Sequence, residues 1–554
     1  MKAKEFFNPK TMASDIIAGI TLGIESVPDG MASGLLAAVN PIHGVYGYMM
    51  GTLTGALTTS SVFMIVQAPS AMALIVAGVP AIHGEEGGIE SLVALTILTG
   101  LFVAIMGLLK FGRFLRWVSN SVMVGFISGV GVLTILGQLG DLTGFDATGS
   151  NSFLKAWDLF LNLNQVVLPT FFVGMATIFL IITLEKTRLK SLGLVAAIFV
   201  ASLLPRLFGW DVVGTVADIA DISGSLPSLL LPPLGVFPEM ILPAVSLALV
   251  AMVQGAGVSQ AYANPDGEFP DADQDFVGMG ISNVVSGFFQ GIPVSGSFSA
   301  TSLSVSSGAK TRFAAIIAAG VMAAMLLLFG DAISALALPA LAGLLIVIGF
   351  RIIKPEDIKL VWNVGNVQRV VMLITFALTL LIPLQFAVFC GVALSVLMVV
   401  ARSANKVRVT ELIRVPGELP FEKDAPAELP SEQTTVLIPY GSLSFAAVET
   451  FEDGLPEITE DTTRAVVILS LHQRTEVGST FLGVIQLYAE KLRDHDSRMM
   501  LAEVSEMVFD QFEKTGYMDT LGRSNIYRGT DRYLESILDA LEHAEQWIDE
   551  GKGG

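Results

Sequence analysis

Long apolar stretches alternate with short polar segments from Ile16 to Ala401. An apolar stretch of about 20 residues crosses the roughly 30 Å hydrocarbon core of a bilayer as an α-helix. The pattern therefore predicts an α-helical membrane protein with many spans. Full spans are predicted near residues 15–37, 43–61, 91–109, 119–138, 166–184, 191–209, 240–262, 275–290, 313–330, 333–350, 367–383 and 385–402.

Two further apolar stretches, 69–81 and 297–307, are too short to cross a bilayer alone. With them the chain has fourteen predicted segments, and each short one is third in a set of seven. Because seven is odd, the second set enters the membrane from the opposite side, which predicts a 7+7 inverted repeat. Paired short segments interrupted by Gly or Pro mark the binding site of many transporters. The alternative is that both are re-entrant loops or full spans.

Composition predicts a membrane domain followed by a soluble one. Hydrophobic residues make up 52% of the 554 residues and charged residues 15%. From Ser403 onward, 28 Asp and Glu stand against 14 Lys and Arg, out of 51 and 32 in the whole chain. We therefore predict a transmembrane transport domain over 1–402 and an acidic domain over 403–554. The acidic balance argues against a nucleic-acid partner, because phosphate binding needs Lys and Arg.

Positive charges fall on alternate loops of this membrane domain. Lys110, Lys186, Lys310 and Lys406 lie on loops that share a side with the N-terminus, whereas the opposite loop GQLGDLTGFDATGS is acidic. Lys and Arg mark the cytoplasmic face of membrane proteins. Both termini are therefore predicted to be cytoplasmic, with the protein in the plasma membrane, which in a bacterium is the inner membrane.

The second short segment lies in a run rich in serine and threonine, GIPVSGSFSATSLSVSSGAKT. Pro69 precedes the first helical pattern and Pro293 and Gly296 precede the second, which predicts an extended piece followed by a half-helix at both places. We expect the extended pieces to lie side by side and to share backbone hydrogen bonds. Two helix N-termini that face one cavity offer free N–H groups and about half a positive charge each. The pattern therefore predicts an anion site without a basic residue.

Side chains near these helix starts can add hydrogen-bond donors. They are the carboxamide of Gln67 and the hydroxyl groups of Ser70, Ser297, Ser299 and Thr301. The alternative for each hydroxyl is that it bonds a helix carbonyl or mediates helix packing. Their clustering beside two broken helices favours a binding site.

DIIAGITLGIESVPDGMASGLLAAVNPIHGVYG (15–47) resembles the opening signature of the SulP sulfate-permease family. GSFSATSLSVSSGAKT (296–311) resembles the motif of that family's tenth segment, and the soluble tail resembles its STAS domain. The resemblance covers nearly the whole chain. It implies fourteen transmembrane segments as a 7+7 inverted repeat, with half-helices at segments 3 and 10, followed by a small α/β STAS-like domain.

The resemblance also implies a mechanism and a set of binding residues. In the family a core domain (segments 1–4 and 8–11) moves as an elevator against a gate domain (segments 5–7 and 12–14), and dimers are usual. The anion lies between segments 3 and 10, flanked by segments 1 and 8. The implied substrate-binding residues here are Gln67, Ala68, Pro69, Ser70, Gln254, Ser297, Phe298, Ser299, Ala300 and Thr301.

The sequence departs from the family at two positions. Gln254 stands where many bacterial members have a Glu or Asp linked to proton or sodium coupling, and Ala300 stands where many members have Arg. An amide does not titrate, so coupling needs another residue. Glu25 and Asp29 lie one helical turn apart within the first span, and intramembrane carboxylates are costly and usually functional. We predict Asp29 and Glu25 as coupling candidates; the alternative is that they satisfy backbone around Pro28 or meet a gate-domain partner.

The tail reads as a small α/β domain. The β-like runs KVRVTEL, TTVLIPYG and RAVVILSL alternate with amphipathic stretches such as VGSTFLGVIQLYAEKL. GELPFEKDAPAELPSEQ (417–433) is charged and rich in Pro, which predicts a loop or linker. The resemblance implies a D-S/T-x-G-like phosphorylation loop, but QRTEVGSTF (473–481) lacks its Asp. We therefore expect a dimerisation or regulatory module.

Together these features predict a secondary transporter of inorganic or small organic anions, in the bicarbonate, sulfate or dicarboxylate class. Its predicted partners are the anion, membrane lipid and a second copy of the chain. The alternatives are an anion exchanger, a channel-like uniporter or nucleobase-type carrier of the same architecture, and an anion-binding membrane sensor that signals through the tail. No nucleophile, base or metal constellation predicts an enzyme. No cofactor or metal is predicted beyond a coupling proton or sodium ion.

Overall fold

The protein is described by a computed structural model. The described residues are 9–84, 88–112, 119–149, 151–187, 192–219, 226–384, 386–387, 389–391, 393–394, 397–398, 407–415, 419–441, 447–532 and 534–552. The chain forms two compact units, Met1–Ser395 and Val396–Gly554. Some residues of the predicted cytoplasmic loops lie outside the described residues: Arg113, Arg116, Arg188, Lys190 and Lys406. Part of the predicted span 385–402 also lies outside them.

The first unit is built from apolar α-helices joined by short connections. In chain order they are α1 (Met12–Leu36), α2 (Pro41–Thr58), α3 (Ser70–Ala77), α4 (Gly88–Leu108), α5 (Asn120–Gly137), α6 (Leu139–Thr143), α7 (Ser152–Leu161), α8 (Leu168–Leu184), α9 (Leu192–Phe208), α10 (Phe237–Ala261), α11 (Ala272–Phe288), α12 (Phe298–Ser306), α13 (Phe313–Ser334), α14 (Leu338–Ile352), α15 (Pro355–Val364) and α16 (Asn366–Leu381). Two short strands, β1 (Val66–Gln67) and β2 (Ser295–Gly296), precede α3 and α12.

Several of these helices are long and apolar enough to cross a bilayer. Among the described residues, five stretches qualify by length and composition: Gly88–Leu108, Asn120–Thr143, Leu234–Ala261, Phe313–Ser334 and Leu338–Val364. Every predicted span from 15–37 to 367–383 overlaps a described helix. The lengths of the apolar stretches therefore located these helices correctly along the chain.

Packing divides these helices into two groups. Helices α1, α2, α4, α10, α11 and α13 pack on one another, and α5, α8, α9, α14 and α16 form the second group. The short helices α3 and α12 each contact α1 and α10 of the first group, and α3 also contacts α5 of the second group. The helices that contact β1 and β2 themselves, α2, α10 and α11, all belong to the first group.

Helices α4 and α11 approach closely because glycines line their contact. A Cβ atom at Gly100 would lie 2.5 Å from the carbonyl oxygen of Gly280, and a Cβ at Gly280 would lie 2.6 Å from the Cβ of Ala104. Both distances are well below the optimal separation of about 3.5 Å between non-bonded atoms. A larger residue at either position would push the two helices apart.

The second unit contains a six-stranded mixed sheet in the order β4-β3-β5-β6-β7-β8. Its strands are β3 (Arg408–Ile413), β4 (Phe421–Asp424), β5 (Thr434–Tyr440), β6 (Val466–Ser470), β7 (Arg498–Val504) and β8 (Ile526–Arg528). Its helices are α17 (Val448–Asp453), α18 (Ser479–Asp494), α19 (Glu506–Thr515), α20 (Tyr517–Leu521) and α21 (Glu535–Lys552). Strands β5 to β8 are parallel, and β3 pairs antiparallel with both β4 and β5.

Helices cover both faces of this sheet. Phe451 of α17, Phe481 of α18 and Phe512 of α19 are buried in one apolar cluster. Ile537 and Ala544 of α21 lie in a separate cluster with residues of β5, β6 and β7. The parallel strands β5 to β7 are thus buried on both sides, which explains their nearly continuous apolar runs.

One tail prediction is wrong. The charged segment 417–433 was predicted as a loop or linker, but it contains strand β4, which pairs with β3 from Thr410↔Asp424 to Ile413↔Phe421. All four residues of β4 are exposed, and Lys423 forms an ion pair with Glu411 at 3.1 Å. Because charged residues are a common device on the edge strands of sheets, the composition concealed the strand.

Candidate functional site

The centre of the candidate site is a pair of two-residue strands. Strands β1 and β2 are antiparallel, with Val66 opposite Gly296 and Gln67 opposite Ser295. The Ser297 N–H also donates to the Ile65 carbonyl oxygen at 2.9 Å. The side-by-side pairing of the two extended pieces, predicted from sequence, is therefore confirmed.

This pairing fixes how the two short helices face each other. Helix α3 follows β1 after Ala68 and Pro69, and α12 follows β2 after Ser297. Because the strands are antiparallel and each helix follows its strand at once, the helices leave the pair in opposite directions. Both N-termini therefore lie beside the strand pair, where their N–H groups and helix dipoles favour a negative charge.

The two helix starts are capped differently. Pro69 precedes α3 and has no side-chain acceptor, so the first N–H groups of α3 receive no cap from it. Ser297 precedes α12, and its hydroxyl accepts the Ala300 N–H at 3.4 Å and lies 3.2 Å from the Ser299 hydroxyl. Ser70 is half-buried and Ser299 is exposed. These three serines remain the hydroxyl groups best placed to reach a ligand at the helix ends.

Gln67 and Thr301 lie at the strand pair but are already engaged with the protein. The amide Nε2 of Gln67 donates to the Ser26 hydroxyl at 2.9 Å and the Thr52 hydroxyl at 3.3 Å, which joins α1 to α2. The Thr301 hydroxyl accepts the Ile65 N–H at 3.0 Å. Both side chains are buried. Their bonds hold the two strands in position. The three serines are then the side chains that face the approach to the helix ends.

Asn283 of α11 supports strand β2, and no sequence pattern predicted this role. Its Nδ2 donates to the Val294 carbonyl at 2.7 Å, and its Oδ1 accepts the Val294 N–H at 2.8 Å. A single buried amide thus satisfies both backbone groups of the residue before β2. A lone Asn within an apolar helix gives no sequence signal for this role.

The remaining predicted binding residues surround α12. Phe298 is 45% exposed, with the Lys354 ammonium 5.9 Å from its ring centroid. The Ala300 methyl packs in an apolar cluster with Leu22 and Ala318, so its side chain faces α1 and α13. Gln254 is half-buried on α10, next to Gly255, whose Cα would lie 3.1 Å from a Cβ at Gly296. Gln254 therefore sits beside β2.

The two coupling candidates lie one turn apart on α1 and differ in their other contacts. The Tyr48 hydroxyl lies 3.0 Å from Asp29 Oδ2 and 3.0 Å from the Ala68 carbonyl oxygen, which ties Asp29 to the linker before α3. Glu25 interacts electrostatically with Asp29 and, less strongly, with Glu185 and Arg351, which pair with each other. Its Oε2 is buried without a hydrogen-bond partner among the described residues. Asp29 belongs to the strand-pair site, whereas Glu25 also faces a charge pair of the second helix group.

Buried carboxylates hold the loops that lead to the short helices. Asp275 Oδ1 accepts the N–H groups of Ser60 and Ser61 at 2.6 and 3.0 Å, ahead of β1. Asp15 Oδ1 accepts the N–H groups of Lys310 and Thr311 at 2.6 and 3.0 Å, after α12. Each bond joins residues far apart in the sequence. The strand pair is therefore held at its entry and at its exit by acids on α11 and α1.

This geometry suits a small anion held by dipoles and hydroxyl groups. None of the predicted binding residues is Lys, Arg or His. Among the described residues, no group of three or more His, Cys, Asp or Glu is placed to hold a metal ion. The predicted binding residues therefore offer an anion helix N-termini and hydroxyl groups, and the Lys354 ammonium near Phe298 is a positive charge close to the start of α12.

Known proteins share both the sequence pattern and the fold. The chain is 24% identical to the putative sulfate transporter YvdB of Bacillus subtilis (strain 168) over 94% of this chain and 97% of the relative. The structure matches murine Slc26a9, an anion transporter solved in an inward-facing state, with a TM-score of 0.84 and 17% identity over 98% of this chain and 93% of that one. It also matches the transmembrane domain of the cyanobacterial bicarbonate transporter BicA, with a TM-score of 0.61 and 20% identity over 70% and 98%.

Two family models match successive parts of the chain. The STAS domain model matches residues 429–531, within the six-stranded unit. The sulfate permease family model matches residues 12–375, which include both short helices and every predicted binding residue. The chain therefore belongs to the sulfate permease family and carries a STAS domain at its C-terminal end.

Proposed function

We propose that this protein is a secondary transporter that carries a small anion across the plasma membrane. The observation that carries the proposal is the antiparallel β1–β2 pair, which brings the N-termini of α3 and α12 to one place. Ser70, Ser297 and Ser299 supply hydroxyl donors to the anion, and Asp29 supplies a titratable group for coupling. The proposed substrate classes are sulfate and bicarbonate, since relatives are named as sulfate and bicarbonate transporters, together with small dicarboxylates, which the family resemblance implies.

The proposed movement is an elevator. The helix group that contains α1 to α4 and α10 to α13 acts as the mobile core, and the group around α5, α8, α9, α14 and α16 acts as the gate. In this scheme fourteen segments form a 7+7 inverted repeat, with α3 and α12 as half-helices and both termini in the cytoplasm. The close packing within each group supports rigid-body motion of one group against the other. The STAS domain regulates the transporter or joins two copies.

Uptake by reconstituted vesicles tests this function. The full-length protein in proteoliposomes should accumulate at least one of radiolabelled sulfate, bicarbonate or succinate. Imposed proton and sodium gradients then separate symport from exchange and uniport. Protein-containing vesicles that move none of these anions faster than protein-free vesicles would overturn the proposal in favour of an anion sensor.

A pair of matched variants tests where the anion binds. Ser299→Trp puts a bulky side chain on the exposed first turn of α12, whereas Ser306→Trp puts it on an exposed position of the last turn. We expect Ser299→Trp to reduce uptake at least about tenfold, the effect of losing a well-placed ligand contact. Ser306→Trp should leave uptake within about twofold of the wild type. Equal uptake by both variants would place the anion elsewhere.

A further inference from the structure

Tyr48 lies between the acid of α1 and the linker that precedes α3. Its hydroxyl is 3.0 Å from Asp29 Oδ2, 3.0 Å from the Ala68 carbonyl oxygen and 2.8 Å from the Ser33 hydroxyl. The Tyr48 side chain is 3% exposed. Neither sequence pattern nor family motif singled out this residue, yet it touches both a coupling candidate and the anion-binding segment.

The phenol has one hydrogen to share among these oxygens. Ser33 can donate its own hydrogen to the Tyr48 oxygen, so the Tyr48 hydrogen goes either to Asp29 or to Ala68. When Asp29 is ionised, its carboxylate is the stronger acceptor, because hydrogen bonds to charged groups are about twice as strong as neutral ones. The Ala68 carbonyl then loses its hydrogen bond from Tyr48.

Protonation of Asp29 reverses this choice. A neutral carboxyl group carries a hydrogen of its own and can donate it to the Tyr48 oxygen. The Tyr48 hydrogen is then free to bond the Ala68 carbonyl. Ala68 connects Gln67 of β1 to Pro69, the residue before α3, so the bond changes the electrostatics and restraint of the peptide that leads into that helix.

Resting on the proposed transport function, we propose that Tyr48 is a positioning residue that relays the protonation state of Asp29 to the anion-binding end of α3. Binding of a proton and binding of an anion then favour each other. Protonation removes a negative charge from the site and at the same time fixes the Ala68–Pro69 peptide. By linkage, the anion favours the protonated form of Asp29 to the same extent.

Few other ionisable groups face this cluster. Helices α3 and α12 have none within their bounds. On α1 itself, Glu25 lies one turn away. On the other elements packed against α1, the groups are His43 and Tyr46 on α2, Asp331 in the last turn of α13 and Arg206 in the last turn of α9. Arg351 of α14 also belongs to this set, and it pairs with Glu185. Asp15 of α1 is engaged by Lys310 and Thr311. Asp29 is thus the ionisable group in direct contact with Tyr48.

The test compares four full-length proteins in proteoliposomes: wild type, Tyr48→Phe, Asp29→Asn and the double variant. The KM and kcat for uptake of the best transported anion among sulfate, bicarbonate and succinate are measured from mildly acidic to mildly alkaline pH. The wild-type KM should fall as the pH falls. Tyr48→Phe should shrink that change by about fivefold, the factor that corresponds to one hydrogen bond, with kcat little altered.

The other two variants test the relay itself. Asp29→Asn should make the KM independent of pH in this range, and adding Tyr48→Phe should restore no pH dependence. Tyr46→Phe is the matched control, since it removes a tyrosine hydroxyl two residues away on the same helix, and it should keep the wild-type pH profile. A wild-type KM that does not depend on pH, or a Tyr48→Phe profile equal to that of the wild type, would overturn the relay while leaving transport established.

Infrared difference spectroscopy tests the same contact without transport. In the lipid-reconstituted protein, acidification should produce a protonated carboxyl band that Asp29→Asn removes. Adding the anion should increase this band in the wild type, and Tyr48→Phe should shift its frequency. If Tyr48→Phe does not fold, the anion response of the wild-type band decides. If the band changes neither when the anion is added nor when the tyrosine hydroxyl is removed, the relay is overturned, even if no anion is transported.

Discussion

The carboxylate of Asp275 holds the backbone of Ser60, with 2.6 Å between Oδ1 and the Ser60 nitrogen. The same oxygen accepts the Ser61 N–H, and Oδ2 accepts the Ser259 hydroxyl at 2.5 Å. Asp275→Ala leaves these buried donors unpaired, so we expect the free energy of unfolding to fall by about 2–4 kcal/mol. Thermal unfolding in detergent measures the loss. Asp266→Ala, in an exposed loop, should change little, and an equal effect of both substitutions would contradict this role.

Arg312 closes the end of α2 from a buried position. Its guanidinium donates to the Ala56 carbonyl at 3.1 Å and the Ser60 carbonyl at 2.9 Å, and the residue is 1% exposed. Arg312→Met should lower the free energy of unfolding by about 2–4 kcal/mol, because buried carbonyls lose charged donors. Lys310→Met is the control from the same loop, since the Lys310 side chain is exposed. Unchanged unfolding temperatures for Arg312→Met would show that solvent replaces the guanidinium.

Asn283 should prove more important for transport than its place on an apolar helix suggests. Asn283→Leu keeps the number and branching of the side-chain heavy atoms but leaves the N–H and carbonyl of Val294 without their partner, at a cost of about 2–3 kcal/mol. Since Val294 precedes β2, we expect the KM for the anion to rise as well. Uptake kinetics and thermal unfolding check the two effects. Gln274→Leu, exposed on the same helix, should match the wild type in both.

The STAS domain should lose stability at alkaline pH. Burial raises the pKa of the Tyr488 phenol, whose hydroxyl donates to the Pro456 carbonyl at 2.8 Å. Because the folded pKa lies above the unfolded value of about 10, the stabilisation is complete below pH 10 and declines as the pH rises further. Tyr488→Phe should lower stability at neutral pH but flatten the alkaline decline.

Thermal unfolding of the full-length wild type and Tyr488→Phe at neutral and alkaline pH measures this difference. Burial also raises the pKa of Tyr517 and Tyr527, so part of the alkaline decline should remain in the variant. Parallel stability curves for the two proteins would contradict the contribution of Tyr488.

The sequence was most informative where one physical requirement dominated. Apolar length located the helices, and Pro69, Pro293 and Gly296 marked where the short helices begin. The family motifs then identified the fold that the structural matches support. The pairing of β1 with β2 also followed from local reasoning, since buried backbone groups in a membrane protein must find partners.

The directions in which side chains point could not be predicted from the sequence. Gln67 was predicted as a binding residue from its position alone, and the bonds of its amide nitrogen to Ser26 and Thr52 follow from the packing of α1 and α2, which the sequence does not show. Asn283 and Tyr48 act on segments distant in the chain, so only the packing of helices reveals their partners. In the tail, β4 escaped prediction because an exposed edge strand needs no apolar face.

The bond from the Ile65 N–H to the Thr301 hydroxyl joins residues 236 positions apart, and it constrains the order of synthesis. A ribosome finishes the first short helix long before it makes the strand and hydroxyl that complete it. Unpaired backbone groups cost several kcal/mol each in hydrocarbon. The first half of the protein therefore cannot settle into lipid as a finished unit. Its Ile65–Gln67 backbone must stay near water or the insertion apparatus until Thr301 emerges, so the two halves complete their folding together.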